Sequence, residues 1–389
     1  MASENPPGTE KLLTLIVDAG PAGAAPDALQ KQVPDISRST INRRLAALVL
    51  QGCIKPVGAG RALRYLSTSP FTVDDITQYL AKDWQTRPLA PFNEAMLGNS
   101  PNIDPEKARR LQALTGLAST LDKKFLSNFL IDFSWGSSVL EGGTYSDLDT
   151  QALILYGQRN PHKSVEDALL VLNHKQAIEH LWSNRTLDVA NICAMHGMLT
   201  DRHNMSEVED SDHFLPSAQR GVPREYEDVN LGRSAYLPPF RPGSGYIKKA
   251  LIDIVAIANS LSPVESAFYL MTRIPYLQAF ANGNKRTARL AANLPLLSHG
   301  LLPISFVDFN RAQYIQGMAA FYELNNIQII ESTFINGYVR SIIRGSNIPP
   351  SMRVTGFDID DIAKKLISYV NNGTFPKNPR AAAFVAIQG

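Results

Sequence analysis

Residues 275–289 read PYLQAFANGNKRTAR, with LAANLPLL directly after them. The stretch is a loop, Ala281–Gly283, running into a helix that begins near Asn284. Backbone N–H groups at a helix start form an anion site, and glycine lets a phosphate approach the chain closely. Lys285, Arg286 and Arg289 add positive charge to that first turn. A helix start carrying Lys and Arg is common on protein surfaces, so the flanking sequence has to decide what this one does.

Working outward, 121–343 is almost wholly helical in pattern. Val165–Trp182, Tyr246–Leu261, Pro263–Arg273, Lys285–Leu297 and Arg311–Leu324 each repeat apolar residues at helical spacing. Phe268, Tyr269, Phe321 and Tyr322 fall inside these helices and are assigned to the core. One segment, Gly221–Pro239, is rich in Pro, Gly, Tyr and Arg, and Val229, Asn230 and Leu231 followed by Gly232 predict a short hairpin. After Pro349 a helix is predicted over Ile359–Asn371, then an Ala-rich end expected to fray.

The N-terminal 68 residues differ in character. Leu12, Leu13, Leu15, Ile16 and Val17 give a first helix over Lys11–Ala19 a buried face, and Pro26–Gln32 suits a short second helix. Ser37 caps a third helix whose Ile41, Leu45 and Leu48 share one face, with Gly52 as its stop. Arg38, Ser39, Thr40, Asn42, Arg43 and Arg44 surround that face, the residue types that reach bases and phosphates from a recognition helix. CIKPV-GAG-RALRYL then reads as two strands about a glycine turn, carrying Arg61 and Arg64. The whole resembles a winged helix-turn-helix and predicts DNA as a partner. Eight basic residues against five acidic ones over 1–68 agree with that reading. Such modules commonly read two half-sites, so a homodimer is expected.

The central stretch resembles the active-site signature of the Fic/Doc (Fido) family, H-x-F-x-(D/E)-G-N-(G/K)-R-x-x-R. Phe280, Gly283, Asn284, Lys285, Arg286 and Arg289 match it. VNLGRSAYLPP at 229–239 resembles the family's flap hairpin, and SSVLEGGTYSD resembles its inhibitory helix motif, with Ser137, Glu141 and Gly142 in register. The resemblance covers about 121–345. It implies a mostly α protein: an all-helical Fic-like core with a β-hairpin flap, preceded by a small α+β winged helix-turn-helix. The implied boundaries are 1–68 for the winged module, 69–120 for a helical linker region, 121–345 for the Fic domain and 346–389 for a C-terminal helix and tail.

The resemblance further implies ATP or a related nucleotide as ligand, and AMP transfer to a protein hydroxyl as the lineage's chemistry. Gly283 and Asn284 would bind phosphates, Arg286 the inner ones and Arg289 the outermost. Glu141 would pair with Arg289 and hold the γ-phosphate away. Two positions depart. Gln278 stands where the family has its general-base histidine, and an amide has no useful basicity near neutral pH. Asn282 replaces the acidic Mg²⁺ ligand, and its neutral oxygen holds that ion only weakly. Lys285 resembles the Doc-type branch, which transfers phosphate, yet that branch lacks the second arginine that Arg289 supplies. His196, His213 and His299 lie outside the motif loop and are not obvious substitutes.

Lost chemistry beside retained phosphate binding predicts a nucleotide-responsive DNA-binding regulator with weak or no transfer. The alternatives are an active nucleotidyltransferase or phosphotransferase with a nonstandard base and a protein target, and a scaffold with no ligand. Bulk composition excludes little: hydrophobic content is 44%, charged content 19% and net charge +2. Leu290–Phe306, the longest apolar stretch, is broken by Asn293, Pro295, His299 and Pro303, so no membrane partner is expected. MASENPPGTE has no signal-peptide pattern, and Cys53 and Cys193 form no framework. A reducing cytoplasm is the expected compartment.

Overall fold

The computed structural model describes residues 9–50, 53–68, 71–117, 121–346 and 359–385. The helix stop expected at Gly52 lies outside them. Two compact units are resolved: 1–93 with 230–237 and 319–328, and 94–229 with 238–318 and 329–389.

The first unit opens with α1 (Glu10–Asp18), α2 (Pro26–Gln32) and α3 (Arg38–Leu50), then β1 (Ile54–Val57) and β2 (Arg64–Ser67). The helix-helix-helix-hairpin order expected from sequence is present. Leu12, Ile16, Leu29, Ile41, Leu45, Leu48 and Ile54 close one apolar core, so the i, i+4, i+7 face of α3 is the buried one. Ser37 Oγ accepts the Thr40 amide at 3.3 Å and caps α3. β1 and β2 pair antiparallel, and a bridge from Ala24 to Tyr65 adds a short third rung. Gly23 makes that rung possible: its φ is +65°, and a Cβ there would stand 2.7 Å from Tyr65 O.

α4 (Val73–Ala81) and β3 (Ala90–Pro91) complete the contiguous part of this unit. β3 pairs in parallel with β4 (Tyr236–Leu237). The buried Glu323 gathers the rest, accepting Ser234 Oγ at 2.9 Å and the Ala235 amide at 3.1 Å, and pairing with Arg87 at 3.2 Å. The hairpin expected at Val229–Gly232 is absent. Residues 229–231 carry no strand, and Leu231–Ser234 closes a turn through Ser234 N to Leu231 O at 3.1 Å. The physical reason is local. Side chains of Glu323 and Arg87 take the polar groups of 233–235, while Pro238 and Pro239 stop the strand after two residues.

The second unit holds α5 (Pro105–Ala113), α6 (Lys123–Leu140), α7 (Asp147–Tyr156), α8 (Val165–Ser183) and α9 (Val189–Leu199). It continues with α10 (Tyr246–Ser260), α11 (Pro263–Leu277), α12 (Asn284–Ala291) and α13 (Asn293–Ser298). α14 (Arg311–Leu324), whose residues from 319 on belong to the first unit, is followed by α15 (Gln328–Arg344), α16 (Ile359–Asn372) and α17 (Pro379–Val385). α11 is buried on every face, as a central helix must be. It runs past Arg273, the end expected from Pro275, because one proline removes a single ladder bond that the surrounding packing outweighs. Asn293 divides the single helix expected over 285–297 into α12 and α13 by taking Ile304 O and N with its side chain. The tail expected to fray is instead α17, with Ala381, Phe384 and Val385 buried. Among the described residues no helix is long and apolar enough to cross a membrane.

Candidate functional site

The loop between α11 and α12 is shaped by a clasp. Asn284 Oδ1 accepts the Phe280 amide at 2.9 Å, while its Nδ2 donates to Phe280 O at 2.8 Å and to Gln278 Oε1 at 2.9 Å. Gln278 sits in the left-handed region at φ +50° and closes α11, and its own Nε2 donates to Pro275 O at 2.6 Å. Gln278 is buried, with both ends of its amide engaged. Its backbone oxygen receives the Arg224 Nε, so the turn is held on all sides.

Behind the loop, His196 stacks on Phe280 with centroids 3.8 Å apart and rings 9° from parallel. The Gly221 amide donates to His196 Nδ1 at 2.9 Å, which fixes Nε2–H as the donor to Asn282 O at 3.0 Å. Burial pushes the His196 imidazole down to about 3, against the pull of Asn282 O, so the ring is neutral and structural. Gly283 has φ +72°, and a Cβ there would meet Thr200 Cγ2 at 2.7 Å. Only glycine fits this close approach.

The first helical hydrogen bond of α12 runs from Thr287 N to Gly283 O at 2.9 Å. The amides of Asn284, Lys285 and Arg286 therefore have no acceptor within the helix and form its positive end. Arg286 is buried and spends its guanidinium on Leu199 O at 2.9 Å and His213 O at 2.5 Å. Burial pushes it down to about 10, partly offset by Glu141, so it stays charged at neutral pH. Lys285 is half-exposed, with Nζ 3.8 Å from Glu141 Oε2.

Glu141 closes α6, and its Oε1 lies 2.8 Å from Arg289 Nη2. Arg289 is fully buried; it also donates to Ser137 Oγ at 2.9 Å and Ser137 O at 3.2 Å, and stands beside Tyr314. Burial alone would raise the Glu141 carboxyl. Arg289, Lys285 and Arg286 outweigh it and hold the group well below the usual carboxylate range. Gly142, next in chain, has φ +99° and turns the backbone away after the ion pair. The structure thus brings Ser137, Glu141, Lys285, Arg286 and Arg289 together, although 136–142 and 283–289 are distant in sequence.

The unpaired amides at the start of α12 and the neighbouring cations are the kind of donor set that a phosphate group takes. Mg²⁺ does not fit equally well. Asn282 donates its Nδ2 to Asp212 O, and its Oδ1 receives the Gly283 amide, so the one side chain expected to hold the ion is committed elsewhere. His213, set aside on sequence, is brought beside this point: Asp212 O and His213 O both accept from the loop-helix side chains. Burial lowers the His213 imidazole, Arg286 lowers it further, and Glu166 at 3.9 Å opposes. Arg224 and Thr200 carry no local signal in the sequence, and His196 is read there only as no substitute base, because their contacts to the loop join residues about 55–90 positions apart.

Of the N-terminal residues expected at a nucleic-acid surface, Arg38, Ser39, Asn42, Arg43 and Arg61 are exposed, and Thr40, Arg44 and Arg64 are partly buried. Arg38 is paired with Asp27, and Arg64 donates to Leu89 O at 3.0 Å.

Residues 186–296 match the Fic/DOC family model. The chain is 25% identical over 240 residues to protein adenylyltransferase fic-1 of Caenorhabditis elegans, which covers 59% of this chain and 43% of the relative. It is 24% identical over 206 residues to the Caenorhabditis briggsae protein of the same name, covering 50% and 37%. The chain thus spans less than half the length of these curated relatives. A solved structure of Fic-1 from C. elegans overlays with a TM-score of 0.48 at 20% identity, over 61% of this chain and 70% of that one. The family model lies across the clasped loop and α12, so residues 186–296 carry a Fic/DOC domain.

Proposed function

We propose that this protein binds a nucleoside triphosphate, ATP or a close relative, at the amino end of α12, and transfers its nucleotidyl group weakly or not at all. The observation that carries the reading is the contrast within one loop. Unpaired amides and cations of the kind that bind phosphate stand at the start of α12, whereas Gln278 offers no base and has both amide ends hydrogen-bonded inside the turn. Phosphoryl-type chemistry depends mostly on positioning and charge stabilisation, so residual transfer is compatible with a missing base. When bound, Mg²⁺ would neutralise phosphate charge, and the chain supplies it no carboxylate at the family position.

The first unit is proposed to bind DNA as a winged helix, through the amino-terminal turns of α3 and the β1–β2 turn, with a homodimer reading two half-sites. The protein then acts as a nucleotide-responsive regulator. Calorimetry with ATP, with and without Mg²⁺, tests the ligand: saturable binding supports the reading, and no binding of ATP or other nucleotides ends it.

A second reading, a working transferase that modifies a protein hydroxyl, is favoured by the similarity to proteins named adenylyltransferases. Labelling with ATP radioactive at the α- or γ-phosphate decides between the two. Strong label from the α-phosphate favours AMP transfer, label from the γ-phosphate alone favours phosphate transfer, and negligible label favours the regulator.

A further inference from the structure

The half of α6 remote from Glu141 lines a cavity of about 230 Å³. That is below the roughly 300–1,000 Å³ of sites for drug-sized ligands, and suits a small molecule. Phe125 and Phe129 form one wall, their rings 6.2 Å apart and 15° from parallel, and Phe125 is backed by Trp182 at 6.1 Å. Ser305 and Ser341 form another, with hydroxyl oxygens 3.4 Å apart. Asp132 and Arg344 supply the charge.

The two charges are not equivalent. Arg344 is satisfied by Asp308, through Nε to Oδ2 at 2.7 Å and Nη2 to Oδ1 at 2.9 Å. Asp132 is half-buried, and no hydrogen bond or ion pair joins its carboxylate to a described residue. A carboxylate taken partly out of water without a partner is costly, and a cation delivered by a ligand removes that cost. An aromatic wall next to it is also the surface over which an organic cation is attracted.

We infer that this cavity binds a small organic cation, a primary ammonium on a flat apolar body, with the ammonium on Asp132 and the body against Phe125 and Phe129. The site is separate from the phosphate loop and does not depend on the nucleotide reading. Its pH response follows from the groups around Asp132. Burial raises its carboxyl to about 6, Arg344 opposes, and Asp147 and Asp308 add to the rise. Asp122 and Lys124, both exposed, also line the cavity. Cation binding needs the ionised form, so affinity is full above about pH 7 and falls as pH drops through about 6.

The test uses the full chain and three probes of one shape: benzylammonium, benzyl alcohol and benzoate, titrated by saturation-transfer NMR. Benzylammonium is expected to bind saturably and tightest. Asp132→Asn should weaken it about tenfold or more, the order expected for losing a charge pair at a partly buried site. Asn128→Trp, at an exposed lining position, should block all three probes without touching the core. Benzylammonium that binds both variants like the parent, fails to saturate on the parent, or binds more weakly than benzoate overturns the inference.

Discussion

Glu141→Gln isolates the charge of the contact with Arg289 and keeps its shape. In the parent, the carboxylate meets Arg289 at 2.8 Å, and the guanidinium has no exposure to water. Removing one partner of a buried pair costs about 3–5 kcal/mol when nothing else compensates. Here Ser137 continues to accept two bonds from Arg289, at 2.9 and 3.2 Å, and glutamine keeps an amide oxygen in place. The loss should therefore fall near about 2–3 kcal/mol, toward the lower end of the range. A triphosphate can refill the position: a ligand at a hundredfold excess over its Kd stabilises by about 2.7 kcal/mol. Saturating ATP should thus return the variant close to the parent's stability, while ADP, lacking the outermost phosphate, should return less. Chemical denaturation of the full chain, read by hydrogen exchange at α12, measures the first quantity, and calorimetry with ATP and ADP measures the second. Because the Glu141 carboxyl is held below its unfolded value, its contribution is present above about pH 4.3. It declines progressively as pH falls from there toward the lower folded value, where it is gone. The parent-to-variant gap should therefore persist to pH 4. A variant that matches the parent in stability, and in its preference between ATP and ADP, refutes the lock.

Three further outcomes are expected. Gln278→His with Asn282→Asp should raise nucleotidyl labelling by about 10²–10⁴-fold, the usual worth of general-base catalysis; unchanged labelling would mean that the base is not what limits transfer. Arg43→Ala should weaken DNA binding and flatten its salt dependence by about one phosphate contact, measured by anisotropy across a salt series, and no DNA bound even at low salt would remove the winged-helix role. Asp132→Asn should stabilise the fold above pH 7. A carboxyl raised to about 6 from an ordinary value near 4 carries roughly 3 kcal/mol at most, and the gain should vanish below about pH 4 because stability is lost as pH rises through the folded value.

What was legible in the sequence is what repeats locally. The Ile41, Leu45, Leu48 face follows from helical period, α14 follows from its own apolar spacing, and Ser37 declares its cap within three residues. The ion pair of Glu141 with Arg289 was legible only through a family resemblance, since its partners are 148 residues apart and nothing in either segment encodes the other. The remainder was set by tertiary contacts. A turn replaces the hairpin at 229–232 because Glu323, nearly ninety residues on, takes the Ala235 amide that a longer ladder would use. α17 is ordered because Ala381 and Phe384 find apolar cover that composition does not reveal. His196 was dismissed for lying outside the loop, yet sequence distance does not prevent its ring from being the loop's floor.

The loop's construction also explains how the start of α12 within a Fic/DOC domain is held without a histidine at 278. Three supports hold 278–284: the Asn284 clasp, the His196 stack and the Arg224 bonds to backbone oxygens. None requires a histidine at 278. Gln278 serves this scaffold as a link, donating to Pro275 O and accepting from Asn284. A histidine there can keep at most part of that arrangement, so restoring the base alone spends some of the turn's rigidity. Asn282 behaves in the opposite way. Its Nδ2 donates to Asp212 O, and a carboxylate at the same position has no hydrogen to give and would face that carbonyl's negative end. Asn282→Asp should therefore release the side chain from Asp212 and turn it toward the cationic start of α12, where a metal–phosphate pair would bind. The two substitutions differ in kind, one adding chemistry at a cost in order and the other freeing a tethered ligand, which is why they are expected to act only together.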